Sequence, residues 1–180
     1  MAEHPLQGEG FRLRPWRADD LDSLLRHADD EQVSRGLSGR FPFPYTRADG
    51  EAFLAGQVVD LAEPVFAIEI DGEACGGIGA HPGKDERSHS AEFGYWLGRR
   101  HWGKGTMTRA VALFTPWAMR ELQLHRLQAN VLAFNMGSAS VLRKNGFMEE
   151  GVQRAAIFKR GVLHDLRMFA KVRRSLDDER

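Results

Sequence analysis

Apolar residues alternate with arginines in FRLRPW, residues 11–16, and that two-residue period predicts a half-exposed strand. The period then changes. Asp19 and Asp20 stand where the first turn of a helix favours negative charge, opening DDLDSLLRHADD. A polar passage with Gly and Pro runs from Ser34 to Tyr45, and Thr46 is placed to cap a second helix reaching to about Leu61. Phe53, Leu54 and Val58 form the apolar side of that helix. PVFAIEI (64–70) and EACGGIGAH (73–81) read as strands, and Asp71-Gly72 between them is a strong hairpin signal.

A charged loop, PGKDERSHS, leads to a third strand, AEFGYWL (91–97). A glycine-rich stretch and an amphipathic helix from about Gly105 to Leu122 follow, and Pro116 should kink or interrupt that helix. HRLQANVL (125–132) reads as another strand. Asn135 is placed to cap a helix carrying Val141 and Leu142, which Asn145-Gly146 ends in the left-handed way. Two last strands, Phe147–Phe158 and Val162–Val172, flank the turn KRG. This order predicts an α+β domain with a mixed, mostly antiparallel sheet of about seven strands and about four helices, not a doubly wound one. At 180 residues the chain is expected to form one domain, 8–174, with flexible termini at 1–7 and 175–180.

Composition narrows the function. Lys plus Arg and Asp plus Glu both number 25, so no global field draws nucleic acid or an anionic membrane. Cys75 is the single cysteine, which excludes an internal disulfide framework and suits a reducing compartment. No stretch has signal-peptide or membrane-spanning character, so a soluble, cytoplasmic protein is expected. Seven histidines are scattered without His-Glu-x-x-His spacing, and no metal is expected. No Gly-x-Ser-x-Gly elbow is present.

The candidate chemistry lies in LGRRHWGKGT, 97–106. A strand running through glycines into a helix start is an anion cradle, with unpaired amides and the helix dipole facing outward. Gly98, four residues, Gly103 and Lys104 nearly spell a nucleotide-binding P-loop. That loop needs a hydroxyl next, for Mg²⁺, and the next residue is Gly105. The same letters satisfy Arg100-x-x-Gly103-x-Gly105. This resembles the pyrophosphate-binding signature of the GNAT superfamily of acetyltransferases.

The resemblance extends over 11–171. FRLRPWRADD, PFPYTRADGEAFL, FAIEIDGEACGGIGAH and AEFGYWLGRRHWGKG follow in the order of the RimJ/RimL-type, ribosomal-protein N-acetyltransferase branch, and NMGSASVLRKNGFMEEG matches its Asn-x-x-Ser, Val-Leu, Lys and Gly-Phe positions. It implies a GNAT fold with splayed strands forming an acetyl-CoA cleft, and direct acetyl transfer to a primary amine through a tetrahedral intermediate. The amine would belong to a protein or peptide N-terminus or a small molecule.

Backbone around Trp96, Leu97 and Gly98 would bond the pantetheine arm, and amides from Arg100 through His101, Trp102, Gly103, Lys104, Gly105 and Thr106 would hold the pyrophosphate. Asn135 would touch the cofactor and also cap its helix. Lys144 would stand near the nucleotide end or be a solvated helix lysine. Glu92 is the candidate base, or else a buried carboxylate paired with an arginine. Many members carry a tyrosine acid at the position of Leu142, so Ser138 is the candidate substitute, as acid or as hydrogen-bond donor to sulfur. The carboxylate some relatives carry near Ile157 is missing. Acceptor selection is expected from Ser34–Tyr45 and the last hairpin, including His164 and Asp165. The resemblance is compatible with a homodimer, and the alternative function is a non-catalytic acyl-CoA-binding or sensing domain.

Overall fold

Alternation, caps and turn residues predict most of the elements found in the computed structural model, which describes residues 5–173. Among these, eight strands and five α-helices follow in the order β1 Leu6–Gly8, β2 Phe11–Pro15, α1 Leu21–Ala28, α2 Glu31–Arg35, α3 Arg47–Leu54, β3 Val65–Ile70, β4 Glu73–Pro82, β5 Ser90–Leu97, α4 Thr106–Glu121, β6 Arg126–Leu132, α5 Met136–Lys144, β7 Met148–Lys159 and β8 Val162–Val172. The strands form one sheet in the order β1-β2-β3-β4-β5-β6-β8-β7. β5 and β6 pair in parallel over Ser90–Glu92 and Arg126–Gln128. The β1–β2, β2–β3, β3–β4, β6–β8 and β7–β8 pairs are antiparallel. The class is therefore α+β with a mixed, mostly antiparallel sheet, as the pattern implies.

The chain forms two compact units. One comprises the chain up to Gly79 with Tyr95–Leu113, and the other Ala80–Gly94 with the chain from Phe114 onward. In the first, Leu13, Leu24, Phe66, Ile68 and Ile78 are fully buried. Arg14 is also buried there: it donates to Asp20 at 2.7 and 2.8 Å and to Glu69 through Nε, while Glu69 also accepts from Arg12 at 2.5 Å. In the second, the Phe93 ring lies 5.2 Å from Phe147 and 6.3 Å from Phe114, centroid to centroid. This packing marks the core face of β5.

The departures from expectation have local causes. Leu6 and Gln7, expected in a flexible terminus, pair with Leu13 and Arg12 in β1–β2; residues 1–4 and 174–180 lie outside the described residues. α2 is a single short turn capped by Asp30, whose side chain accepts from the Gln32 amide at 2.8 Å. It is too short to show a helical period. α3 stops at Leu54, not Leu61, because Gly56 turns left-handed with φ +74°. α4 runs unbroken through Pro116. Burial of Ala110, Val111, Phe114, Trp117 and Ala118 along one side outweighs the roughly 3 kcal/mol a proline costs inside a helix.

Candidate active site

After Leu97 the chain makes a 3-10 turn, Arg99–His101, then passes Gly103 and Gly105 at φ +73° and +72° into α4. Two left-handed residues bracketing Lys104 keep the backbone turned toward solvent, where a side chain would be strained. Trp102, Gly103, Lys104 and Gly105 are exposed, and a Cβ at Gly103 would meet nothing within 4 Å. Amides in the first turn of a 16-residue helix have no acceptor within that helix. An open, amide-lined surface of this kind fits a pyrophosphate.

Side chains brace the loop from behind. Arg109, one turn into α4, donates to the Lys104 carbonyl at 3.1 Å. The motif alone does not single it out; its spacing of four residues from Gly105 was the available signal. The Trp102 indole donates to the Leu97 carbonyl at 2.7 Å, and the Gly98 amide donates to the Cys75 carbonyl at 2.7 Å. Of the backbone groups assigned to the pantetheine arm, the Gly98 amide is therefore occupied, and the Leu97 carbonyl keeps one lone pair.

Arg100, its side chain 55% exposed, reaches from the loop to a polar cluster of the same unit. It donates to Glu73 Oε2 at 2.7 Å, to His27 Nε2 at 3.0 Å and, through Nε, to His101 Nε2 at 3.3 Å. His27 is buried on the core face of α1 with Leu24 and Ala28. Its ring fits because residue 98 is glycine: a Cβ there would run into the imidazole. Burial pushes the His27 pKa down, helped by the charge of Arg100 and opposed by Glu73. Burial also lowers that of His101 and raises that of the Cys75 thiol. Hydrogen bonding to Arg26 holds Glu73 below the usual carboxylate range. The donor atoms of His27, Cys75 and His101 all lie within 4.8 Å of one another. Alongside, Arg26, His27, Asp30, Arg99 and Arg100 line a cavity of about 370 Å³.

The passage expected to select an acceptor packs in this unit as well. Phe41 lies 5.1 Å from both Tyr45 and Trp96, centroid to centroid. Burial pushes the Tyr45 phenol up to about 12. Trp16 stands edge-on to Phe53 at 5.1 Å, and its buried indole N–H has no hydrogen-bond partner.

In the second unit, Glu92 and Gly94 are exposed while Ala91 and Phe93 between and beside them are buried. Glu92 therefore lies on the open face of β5 and is not the buried, arginine-paired carboxylate that was its alternative. Asn135 caps α5, its side chain accepting from the Ser138 amide at 3.2 Å. Leu142 is fully buried and serves the core, and Lys144 is exposed. Asp165 accepts from the amide of Ala155, which sits at φ +50° in a bulge of β7, at 2.8 Å; this carboxylate has a structural task. The His164 ring lies 5.1 Å from Phe134.

Comparison with known proteins agrees with the loop. The sequence profile of the acetyltransferase (GNAT) domain matches residues 11–148. The chain is 43% identical over 179 residues to the Bacillus subtilis protein named "Probable N-acetyltransferase YjcK", covering 92% of this chain and 95% of that one. It is 29% identical over 83 residues to the ribosomal-protein-serine acetyltransferase of Escherichia coli, 46% of each chain. The crystal structure of the ribosomal-protein-S5-alanine acetyltransferase from Vibrio fischeri has the same fold, with a TM-score of 0.80 at 22% identity over 94% of this chain and 97% of that one. The match over most of the chain and the geometry of its glycine loop lead to one family: this protein belongs to the GNAT acetyltransferases.

Proposed function

We propose that the protein transfers an acetyl group from acetyl-CoA directly to a primary amine, in the manner of the RimJ/RimL-type branch. The observation that carries this reading is the pair of exposed left-handed glycines, Gly103 and Gly105, opening onto α4. Acetyl-CoA, when bound, supplies a thioester whose carbonyl is open to attack. The amides from Gly103 to Thr106 hold its pyrophosphate, since those of His101 and Trp102 already bond the Gly98 and Arg99 carbonyls at 2.9 and 3.0 Å, and Lys104 adds a full positive charge. Asn135, Ser138 and Lys144 are the further contacts.

An amine attacks only when neutral, and Glu92, on the open face of β5, accepts its proton directly or through a water. Ser138 orients the sulfur by a hydrogen bond. Leu142 offers no acid, so positioning carries more of the rate here than proton donation to a thiolate that leaves readily. Phe41, Tyr45 and Trp96, packed together at one end of the acceptor-selecting passage, give that passage an aromatic wall. The acceptor is a peptide N-terminus or a small amine.

Calorimetric titration of acetyl-CoA and, separately, Mg-ATP into wild type, Gly103→Ala and Gly103→Glu tests the loop. A carboxylate at residue 103 should weaken acetyl-CoA binding about 100-fold or more through like-charge repulsion. Alanine should cost far less, since only backbone strain changes. Binding of Mg-ATP, or indifference to Gly103→Glu, overturns the assignment. An amine screen with wild type and Glu92→Gln then separates catalysis from binding alone: turnover lost in Glu92→Gln supports the enzyme, and acetyl-CoA binding with no turnover of any amine supports a sensing domain.

A further inference from the structure

The Arg100 cluster holds more lone pairs than an arginine needs. His27 Nε2, His101 Nε2 and Glu73 Oε2 each face the Arg100 guanidinium, at 3.0, 3.3 and 2.7 Å. His101 Nε2 accepts from Arg100, and His27 Nε2 stands between the Arg100 guanidinium at 3.0 Å and Glu73 Oε2 at 3.4 Å, so both neutral imidazoles can turn a lone pair on this nitrogen toward a metal. The Cys75 sulfur belongs to the same group, within 4.8 Å of the donor nitrogens of His27 and His101. Its own hydrogen-bond partners are backbone carbonyls, Glu73 at 3.3 Å and Ile70 at 3.9 Å. Four ligating groups from three separate segments thus surround one cation, and that cation is tethered to an exposed loop.

We propose that His27, Cys75, His101 and Glu73 form a binding site for Zn²⁺ or a similar borderline-soft divalent ion, for which Arg100 is a built-in competitor. The chemistry of the set suits zinc, which takes thiolate, imidazole and carboxylate ligands in tetrahedral sites. Bonds of about 2.3 Å to sulfur and about 2.0–2.1 Å to nitrogen and oxygen place tetrahedral ligands roughly 3.3–3.6 Å apart. Glu73 Oε2 already stands 3.4 Å from His27 Nε2. The donor atoms of His27, Cys75 and His101 lie within 4.8 Å of one another, so binding draws them together, and His101, in the 3-10 turn of the loop, is the least buried of the three.

Charge decides the competition. On binding, the Cys75 thiol releases its proton to solvent, and thiolate plus carboxylate neutralise the two charges of the ion. The Arg100 guanidinium must then leave, since it cannot share the lone pairs. Its side chain is 55% exposed, so water replaces its partners at small cost. Arg26 stays against the other oxygen of Glu73, at 2.5 Å, and orients that carboxylate.

The test is Co²⁺ titration of the full chain without acetyl-CoA, under a non-thiol reductant, read by absorption, with Zn²⁺ displacement as the affinity measure. The expected result is one Co²⁺ per chain, a near-ultraviolet sulfur-to-cobalt charge-transfer band and visible bands of tetrahedral intensity. Cys75→Ser should abolish the charge-transfer band. His101→Ala, which leaves the buried core untouched, should weaken binding about tenfold or more. Arg100→Met should tighten it about tenfold or more by removing the competing cation. Absence of the charge-transfer band in both wild type and Arg100→Met overturns the proposal, as does a band that survives Cys75→Ser. Equal affinity in wild type and Arg100→Met overturns the role of Arg100. None of these readouts depends on acetyl transfer.

Discussion

Two arginines of the same compact unit hold carboxylates in opposite ways. Arg14 is 2% exposed, and its guanidinium is engaged by Asp20, Glu69 and the Pro15 carbonyl, with Arg12 completing the set from the rim. Arg100 is 55% exposed at its side chain and touches Glu73, His27 and His101 from a loop. The chemistry is nearly identical, but the surroundings are not. A buried charge stripped of one partner has no water to turn to, whereas an exposed one is rehydrated at once. Arg14 therefore joins β2 to β3 and to the turn before α1, while Arg100 is free to exchange partners. That freedom suits a residue beside an anion-binding loop.

The largest effect is expected from breaking the buried side of the comparison. Arg14→Met strips the buried Asp20 and Glu69 carboxylates of their shared cation and should cost about 3–5 kcal/mol in urea unfolding. Glu69→Gln, which keeps the shape but removes the charge, should cost about 1–3 kcal/mol at neutral pH. This variant also sharpens the comparison through its pH dependence. Burial alone would raise the Glu69 pKa, but Arg12 and Arg14 hold it below the ordinary 4.5. A depressed folded pKa means that the unfolded chain binds the proton first on acidification. The stabilisation is thus complete above pH 4.5 and is lost as pH falls through the lower folded value, so wild type should lose stability in that window more steeply than Glu69→Gln. The smallest effect is expected at the exposed side. Arg100→Met should change unfolding stability by less than about 1 kcal/mol. A loss as large as that of Arg14→Met would erase the distinction and make Arg100 a structural residue.

Much of the architecture was legible because its signals are local. Asp71 and Gly72 take φ +50° and +83°, the two positive values that a tight hairpin turn demands of its central pair. Asn135 and Thr46 cap the helices they were expected to cap. Gly103 and Gly105 carry the left-handed geometry of an anion loop in their own missing side chains. What escaped was short or outvoted: β1 with three residues, α2 with five, and Pro116, whose penalty is overcome by the burial of its neighbours.

Sequence patterns alone carry the longer elements and the glycine loop, since each depends on residues within a few positions of one another, and the GNAT resemblance, which strings such short motifs along 11–171. The fate of single polar side chains was decided only in three dimensions. Glu92 could be read as exposed base or buried partner, and the packing of Phe93 on the other face of β5 settled its exposure. His27, Cys75 and His101 share no spacing that would mark them as a set, because α1, β4 and the loop after β5 each contribute one. They meet because Gly98 leaves room for an imidazole beside a strand whose Cys75 carbonyl it also binds. Contacts between distant segments are properties of packing, and no local period encodes them.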